Sequence, residues 1–228
     1  MVKTIAIDGP AASGKTTLAK TLAEHLNYVF FDTGVMYRAV TLTAILAGLD
    51  LNDEAAVTQL AETVQIDVAP ASKDDGRTND ILIDGVDSTW KIRDAEVDAN
   101  VSVVAAYPGV RAALTAQQRR IGMRGGVVMV GRDIGTVVLP EAEFKIYLDA
   151  SVEERARRRY EECASRGEMI SLENVLASMR QRDDIDSHRE VAPLRPADDA
   201  VILVSDGKQA GEVFEQVTKI IETTGFLS

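Results

Sequence analysis

Thr4-Ile-Ala-Ile-Asp8 runs without a break into Gly9-Pro-Ala-Ala-Ser-Gly-Lys-Thr16. The first five residues, with Ile5-Ala-Ile7 at their centre, read as a strand buried on both faces. The next eight match GxxxxGK[ST], and a helical pattern opens at Lys15 and continues to about Leu26. Strand, glycine loop, helix is the context this motif requires. Gly9 and Gly14 let the backbone curl so that successive N–H groups point at a phosphate. The helix start adds its own free N–H groups and the positive end of its dipole. Lys15 is placed to reach the outer phosphates of a nucleoside triphosphate, and the Thr16 hydroxyl to hold a magnesium ion. The competing reading is a glycine-rich turn that binds no nucleotide, which the full eight-residue match in this context disfavours.

Outward from that loop, apolar runs and helical patterns alternate. Tyr28–Phe31, Val127–Val130, Phe144–Leu148 and Val201–Val204 read as further strands. Helical patterns cover about Met36–Leu46, Val110–Ile121, Val152–Arg166, Leu172–Ser187 and Gly211–Thr223. Short β-branched runs alternating with helices predict an α/β fold with about five parallel strands covered on both faces. Residues 64–87 break the rhythm, with QIDVAP and ILIDGVD around the polar stretch SKDDGRTND. They read as two short strands, a small antiparallel piece inserted in the core.

The 228 residues suffice for one core plus a modest insertion. No apolar run approaches the ~18 residues that cross a bilayer, and Asp8 and Pro10 interrupt the apolar stretch that a secretory leader would keep. Neither a secreted nor a membrane-spanning protein is expected. One cysteine, Cys163, excludes an internal disulfide, and two histidines, His25 and His188, leave little for a Cys/His metal site. A reducing cytoplasm fits. Lys+Arg 25 against Asp+Glu 36 leaves a net charge of −11, a poor match for coating a nucleic acid. The cations divide into 17 Arg and 8 Lys, and 14 of the arginines lie between Arg111 and Arg195, so phosphate chemistry must come from local clusters. Composition alone does not separate phosphate-binding arginines from solvated ones.

Arg155, Arg158 and Arg159 share a helical face in EERARRR. They suit charge neutralisation on a transferring phosphoryl group. They equally suit a solvated helix with Glu153–Arg157 and Glu154–Arg158 pairs. Arg182, Asp186 and Arg189 form a second stripe, fit either for a sugar hydroxyl and a phosphate or for a structural pair, and His188 lies off it. Gly131-Arg132-Asp133 follows one strand and Asp32-Thr33-Gly34 another, with Arg38 a turn further on. Ligands of open parallel sheets bind beyond the carboxyl ends of the strands. Phosphate loop, DTG segment and GRD segment are therefore expected at one crevice, although each alone could be a turn with a capping Asp.

Taken in order, GPAASGKTT, FDTGVMYRAV, VGRDIGTVVLPEAEFKIYLDAS, EERARRR and RDDIDSHREVAPLRPADDAV closely resemble bacterial cytidylate kinases, which are nucleoside monophosphate kinases. The likeness runs from about Val2 to past Val204 and includes the enlarged insert at 64–100. It implies the three-layer fold of P-loop NTPases, with core residues 1–32, 106–150 and 168–228, a monophosphate-binding region at 33–105 and a lid at 151–167. It implies transfer of phosphate from ATP to CMP or dCMP, with Mg²⁺, by a cytoplasmic enzyme of pyrimidine metabolism, expected as a monomer. The loop residues Gly9, Pro10, Ala11, Ala12, Ser13, Gly14, Lys15, Thr16 and Thr17 would bind ATP, and Arg155, Arg158 and Arg159 would lie in the lid over it. Arg38 and Arg132 would bind the acceptor phosphate, Arg182 and Asp186 the sugar, and Arg189 the acceptor side. Ser102, Arg111 and Asp133 would read the cytosine edge, with Thr33 lining the pocket. Lys15, Arg132, Arg158 and Arg182 would be catalytic. Thr33 stands where some members have Ser, and Thr16 where some have Gly.

Cytosine presents an N4 donor beside an N3 acceptor, so a carboxylate and an arginine match it, and uracil reverses the first group. That chemistry predicts preference for CMP over UMP. No covalent nucleophile is required for in-line transfer. The rivals are a kinase acting on UMP, dTMP or shikimate, a nucleotide-dependent switch, and a nucleic-acid-binding protein. The guanine-reading NKxD string of such switches does not occur here, and the acidic insert, with nine acidic and four basic residues over 64–100, opposes the last.

Overall fold

The strand that opens the phosphate loop lies at the centre of the sheet. A computed structural model describes residues 3–167 and 169–224; residues 1–2, 168 and 225–228, to which the expected core boundaries extend, lie outside the described residues. β1 (Thr4–Asp8) is buried along its whole length. After it come α1 (Lys15–Leu26), β2 (Val29–Asp32), α2 (Gly34–Leu46) and α3 (Glu54–Thr63). β3 (Ile66–Pro70), β4 (Asn79–Ile83) and β5 (Val86–Asp87) follow, then α4 (Ala95–Val104), α5 (Pro108–Gly122) and β6 (Val127–Val130). β7 (Phe144–Asp149), α6 (Val152–Ser165), α7 (Leu172–His188), β8 (Val201–Val204) and α8 (Ala210–Thr223) complete the chain.

The chain divides into two compact units, Met1–Asp32 with Arg119–Ser228, and Thr33–Gln118. The first holds a five-stranded sheet in the order β2-β6-β1-β7-β8, parallel throughout. Flanking strands pair with both edges of β1, so every backbone group of its interior is satisfied within the ladder. One face carries Ile5, Ile7, Val128, Val130, Phe144, Ile146 and Leu148, packed against Leu18 and Leu22 of α1 and Val213, Val217 and Ile221 of α8. The spacing of the last three puts them on one stripe of the helix, with Phe214 and Ile220 packed beside it; the helix starts with a reciprocal Gln209–Glu212 capping box. Beyond the opposite face the end of α5 approaches so closely that a Cβ on Gly122 would lie 2.3 Å from Leu139. Helices therefore flank the sheet, the three-layer α/β arrangement expected.

Asp32, Val130 and Ile7 stand in one row across the carboxyl edge of the sheet, because β2 and β1 both pair with β6 in that register. Just past that row β1 ends at Asp8 and the phosphate loop opens, while Gly131 of the GRD segment follows Val130 directly. Hydrogen-bond register thus aligns strand ends that are distant in sequence.

In the second unit, the insert is a three-stranded antiparallel sheet, β3-β4-β5, and not the two strands expected. Asp84 and Gly85, with φ of 48° and 79°, break ILIDGVD into β4 and β5. Both central residues at positive φ make the tight hairpin turn that Asp-Gly favours. The polar stretch before β4 folds around Arg77, whose guanidinium donates to Asp75, Asp80 and Asp87. Helices α3 and α4 were not anticipated from the sequence; Asp53 caps α3 by accepting from Ala56 N at 3.1 Å. The Glu153–Arg157 pair expected on α6 is also corrected. Arg157 instead takes Glu154 and Glu161, while Glu153 faces Arg180 of α7.

Candidate active site

The phosphate loop has the geometry its glycines allow. Gly9 adopts φ 145°, where a Cβ would lie 2.1 Å from the Leu148 carbonyl oxygen of β7, so no larger residue fits. Gly14, at φ 96°, precedes α1 with no side-chain cap, leaving the first N–H groups of that helix to an incoming anion. Ala12 also takes a left-handed conformation, φ 59°, a local strain held by the loop around it. Lys15 is buried, its Nζ donating to the Pro10 carbonyl and to Ser13 Oγ. Thr16 and Thr17 are exposed at the helix start.

Burial holds the Lys15 ammonium well below its usual pKa, and Arg132 and Arg182 push in the same direction against Asp32 and Asp8. Three cations are therefore gathered at the carboxyl edge of the sheet. Arg132 is countered by Asp186, with Nε to Oδ2 at 2.9 Å. Burial alone would raise the Asp186 carboxyl; Arg132, Arg182 and Arg189 outweigh it and hold that group below the ordinary carboxylate value. Arg189 lies 3.8 Å from Asp186 and 3.5 Å from Asp133, and its Nε donates to the Ala192 carbonyl at 2.7 Å. The stripe of Arg182, Asp186 and Arg189 is thus joined to the GRD segment, which the stripe's local sequence left undecided.

The three arginines of α6 differ in setting. Arg155 is buried and committed, donating to both oxygens of Asp183 and to the Ala150 and Ala11 carbonyls. Arg158 donates to the Ser205 carbonyl at 2.7 Å, to Ser205 Oγ at 3.1 Å and to the Ser13 carbonyl at 3.3 Å. Arg159 pairs with Glu162 on the same helix. Beside Arg158, a cavity of about 330 Å³ is lined by Gly14, Thr17, Arg157, Lys208 and Gln209, among others.

In the second unit, Arg38 of α2 pairs with Asp98 of α4 and donates to the Ile92 carbonyl at 3.2 Å. Arg111 is buried, donates to the Ala105 carbonyl at 3.0 Å and lies 5.4 Å from the centre of the Tyr37 ring. Thr33 and Ser102 are buried as well. His188 is exposed and bonds only within α7 among the described contacts.

Three residues of this site escaped the sequence reading. Asp183 anchors Arg155, and Asp8, the end of a strand in the sequence, is given no role in the site there. Ser205 bonds to the Ser13 and Asp149 carbonyls through its hydroxyl. It follows β8 directly, so the rule that ligands gather beyond strand ends would have found it had it been applied to that strand too.

With this geometry in hand, the comparisons are direct. The family model described as cytidylate kinase matches residues 5–223. A cytidylate kinase of Herpetosiphon aurantiacus is 50% identical over 218 residues, 96% of this chain and 93% of that protein. One of Chloroflexus aggregans is 52% identical over 92% of this chain and 90% of its own length, and one of Bacillus velezensis 48% identical over 96% of each. Coverage on this scale takes in the phosphate loop, the GRD segment, α6 and α7 together, and the chain belongs to the cytidylate kinase family.

Proposed function

We propose that this chain transfers the γ-phosphoryl group of ATP to CMP and dCMP, giving CDP and dCDP by direct in-line displacement. The observation that carries the reading is the crowding of Lys15, Arg132 and Arg182 at one sheet edge, where burial and mutual repulsion already disfavour the charge on Lys15. A polyphosphate relieves that repulsion, and the relief grows as charge moves across the transferring group.

Residues 9–17 hold the triphosphate through backbone N–H groups and Lys15. Arg155 serves the donor side through the Ala11 carbonyl it supports, while Arg158 and Arg159 belong to a lid at 151–167. Arg132, Arg182, Asp186 and Arg189 bind the acceptor nucleotide, Asp133 receives the cytosine N4 donor, and Thr33, Arg38 and Ser102 of region 33–105, with Arg111, are assigned to the same substrate. The donor set also suits Mg²⁺: an exposed Thr16 hydroxyl at the helix start, with the Asp32 carboxylate close enough to act on Lys15. Hard oxygen ligands of this kind fit an ion that keeps most of its waters and phosphate oxygens. When bound, that ion supplies charge neutralisation at the β- and γ-phosphates. Lys15 and the arginines orient the two phosphates end to end and add fixed positive charge; the lid keeps water from competing. Cys163 is a buried thiol, and among the described residues no helix is long and apolar enough to cross a membrane; we place the enzyme in the cytoplasm.

The test is ADP release across CMP, dCMP, UMP, dTMP and shikimate, with and without Mg²⁺. CMP and dCMP should lead UMP in kcat/KM by up to about 10⁴-fold, the scale at which a site built to hydrogen-bond rejects a mismatched group. Equal kcat/KM for CMP and UMP would refute the cytosine reading.

A further inference from the structure

Asp8 ends β1 and makes two hydrogen bonds that the phosphate loop does not need. Its Oδ1 accepts from Ile134 N at 2.8 Å and its Oδ2 from Gly135 N at 2.7 Å. Those N–H groups open a π-helical turn over Ile134–Val138, immediately after Arg132 and Asp133. On the near side of the same two residues, Gly131 N donates to the Ile7 carbonyl at 3.0 Å. Consecutive residues of β1 therefore clamp both ends of a two-residue arch: the Ile7 carbonyl before it and the Asp8 carboxylate after it. Contact at the far end is close, since a Cβ on Gly135 would lie 3.4 Å from Asp8 Oδ2.

We propose that Asp8 is a positioning residue for the acceptor nucleotide, fixing the arch from which Arg132 and Asp133 reach CMP. This rests on the kinase reading given above. The side chain is matched to the task. A carboxylate offers two acceptors to two donors, whereas an asparagine would turn an N–H₂ group against one of them. Removing an acceptor from a buried N–H leaves that group unsatisfied. The anchor itself stays put, because β1 is laddered to β6 and β7 on either side. Loss of Asp8 should thus loosen the arch and spare the loop.

Ionisation bears on the same bonds. Burial raises the Asp8 pKa to about 6 against the two backbone donors; Asp133 raises it further and Lys15 opposes. Asp133, Lys15 and the Tyr147 hydroxyl of the paired strand are titratable groups coupled to it, and the Lys145 stem packs against Gly135 beside it. Protonation turns one acceptor into a donor facing an N–H, so the arch should loosen as pH falls through about 6.

The experiment compares wild type with Asp8→Asn by steady-state kinetics and by direct binding of ATP and of CMP. A displacement of about 1 Å in a substrate-positioning group costs on the order of 10²-fold. The expected result is a fall of about 10- to 100-fold in kcat/KM for CMP, with the Kd of ATP alone within about threefold. Unchanged CMP kinetics, or ATP binding weakened as much as CMP binding, overturns the proposal. Wild type inactive on CMP would instead refute the kinase reading. Should Asp8→Asn not fold, wild type answers alone. The amide shifts of Ile134 and Gly135 and the KM for CMP should follow one common single-proton curve between pH 5 and 8. The phosphate titration of CMP itself is measured by ³¹P NMR and subtracted; a KM that is flat after that subtraction overturns the proposal.

Discussion

Arg132 and Asp186, 54 positions apart in the chain, meet at 2.9 Å between Nε and Oδ2. The arginine follows a strand of the central sheet and the carboxylate sits on α7, so this bond joins the two segments that carry the arginines proposed for the acceptor. The Asp186 side chain is buried, 6% exposed, and that of Arg132 partly so, 20% exposed. In such a setting the pair matters less for the attraction it supplies than for the charge left behind when one partner is removed.

Asp186→Ala should therefore destabilise the fold by about 3 kcal/mol at neutral pH. The sign of the pH dependence follows from the depressed folded-state pKa of Asp186. Its stabilisation is present above the unfolded carboxylate range and disappears as pH falls through the folded value. Urea unfolding at pH 7 and near pH 3 should show the difference between wild type and variant shrinking in acid; an equal difference at both would exclude the charge as its source.

Arg158→Ala removes a guanidinium held between Ser13 of the phosphate loop and Ser205. If it neutralises charge during transfer, kcat should fall by about 10²-fold or more while the Kd for CMP stays unchanged. Presteady-state and equilibrium measurements together make the check, and an unaltered kcat would remove Arg158 from the chemistry.

Gly9→Ala confronts backbone. The new methyl would stand 2.1 Å from the Leu148 carbonyl, at a φ of 145° that side chains rarely adopt. Strain of this kind costs about 1–3 kcal/mol even before atoms are displaced. The variant should melt earlier and lose ATP binding, as read by calorimetry. Retained affinity would mean that the loop can relocate.

Arg77→Met addresses the insert. Side-chain bonds to Arg77 and Trp90 hold Asp75 below its normal pKa, and bonds to Thr89 and Arg77 do the same for Asp87. Depressed carboxylates contribute stability above their unfolded range and lose it as pH falls through the folded values. Wild-type protection of the β3–β5 amides from hydrogen exchange should drop on acidification, whereas the variant should be poorly protected already at pH 7. Equal protection in both proteins at neutral pH would mean that the insert is held by its apolar face alone.

Much of the core could be read in advance because its signals are local. A short strand with an apolar centre, Ile5-Ala-Ile7, running straight into GxxxxGK[ST] admits a buried central strand and little else, and the amphipathic stripe of α8 follows from residues four apart. The insert was less legible. Its third strand depends on Asp84 and Gly85 entering the left-handed region, and two residues of pairing carry no periodicity to detect. Helix α6 shows the same limit differently: one face of three arginines splits into the buried Arg155, the bridging Arg158 and the helix-bound Arg159.

By itself the sequence determined that a triphosphate loop opens an α/β sheet, because the motif's function depends on backbone curvature and a helix start, both set by neighbouring residues. Which acids meet which bases was decided only by tertiary structure. Asp8 against the amides of Ile134 and Gly135, Arg132 against Asp186, and Arg155 against Asp183 are pairings across 28 or more positions. Strand register and helix packing choose such partners, and burial then makes each choice consequential, since an ionised group away from water must find its complement.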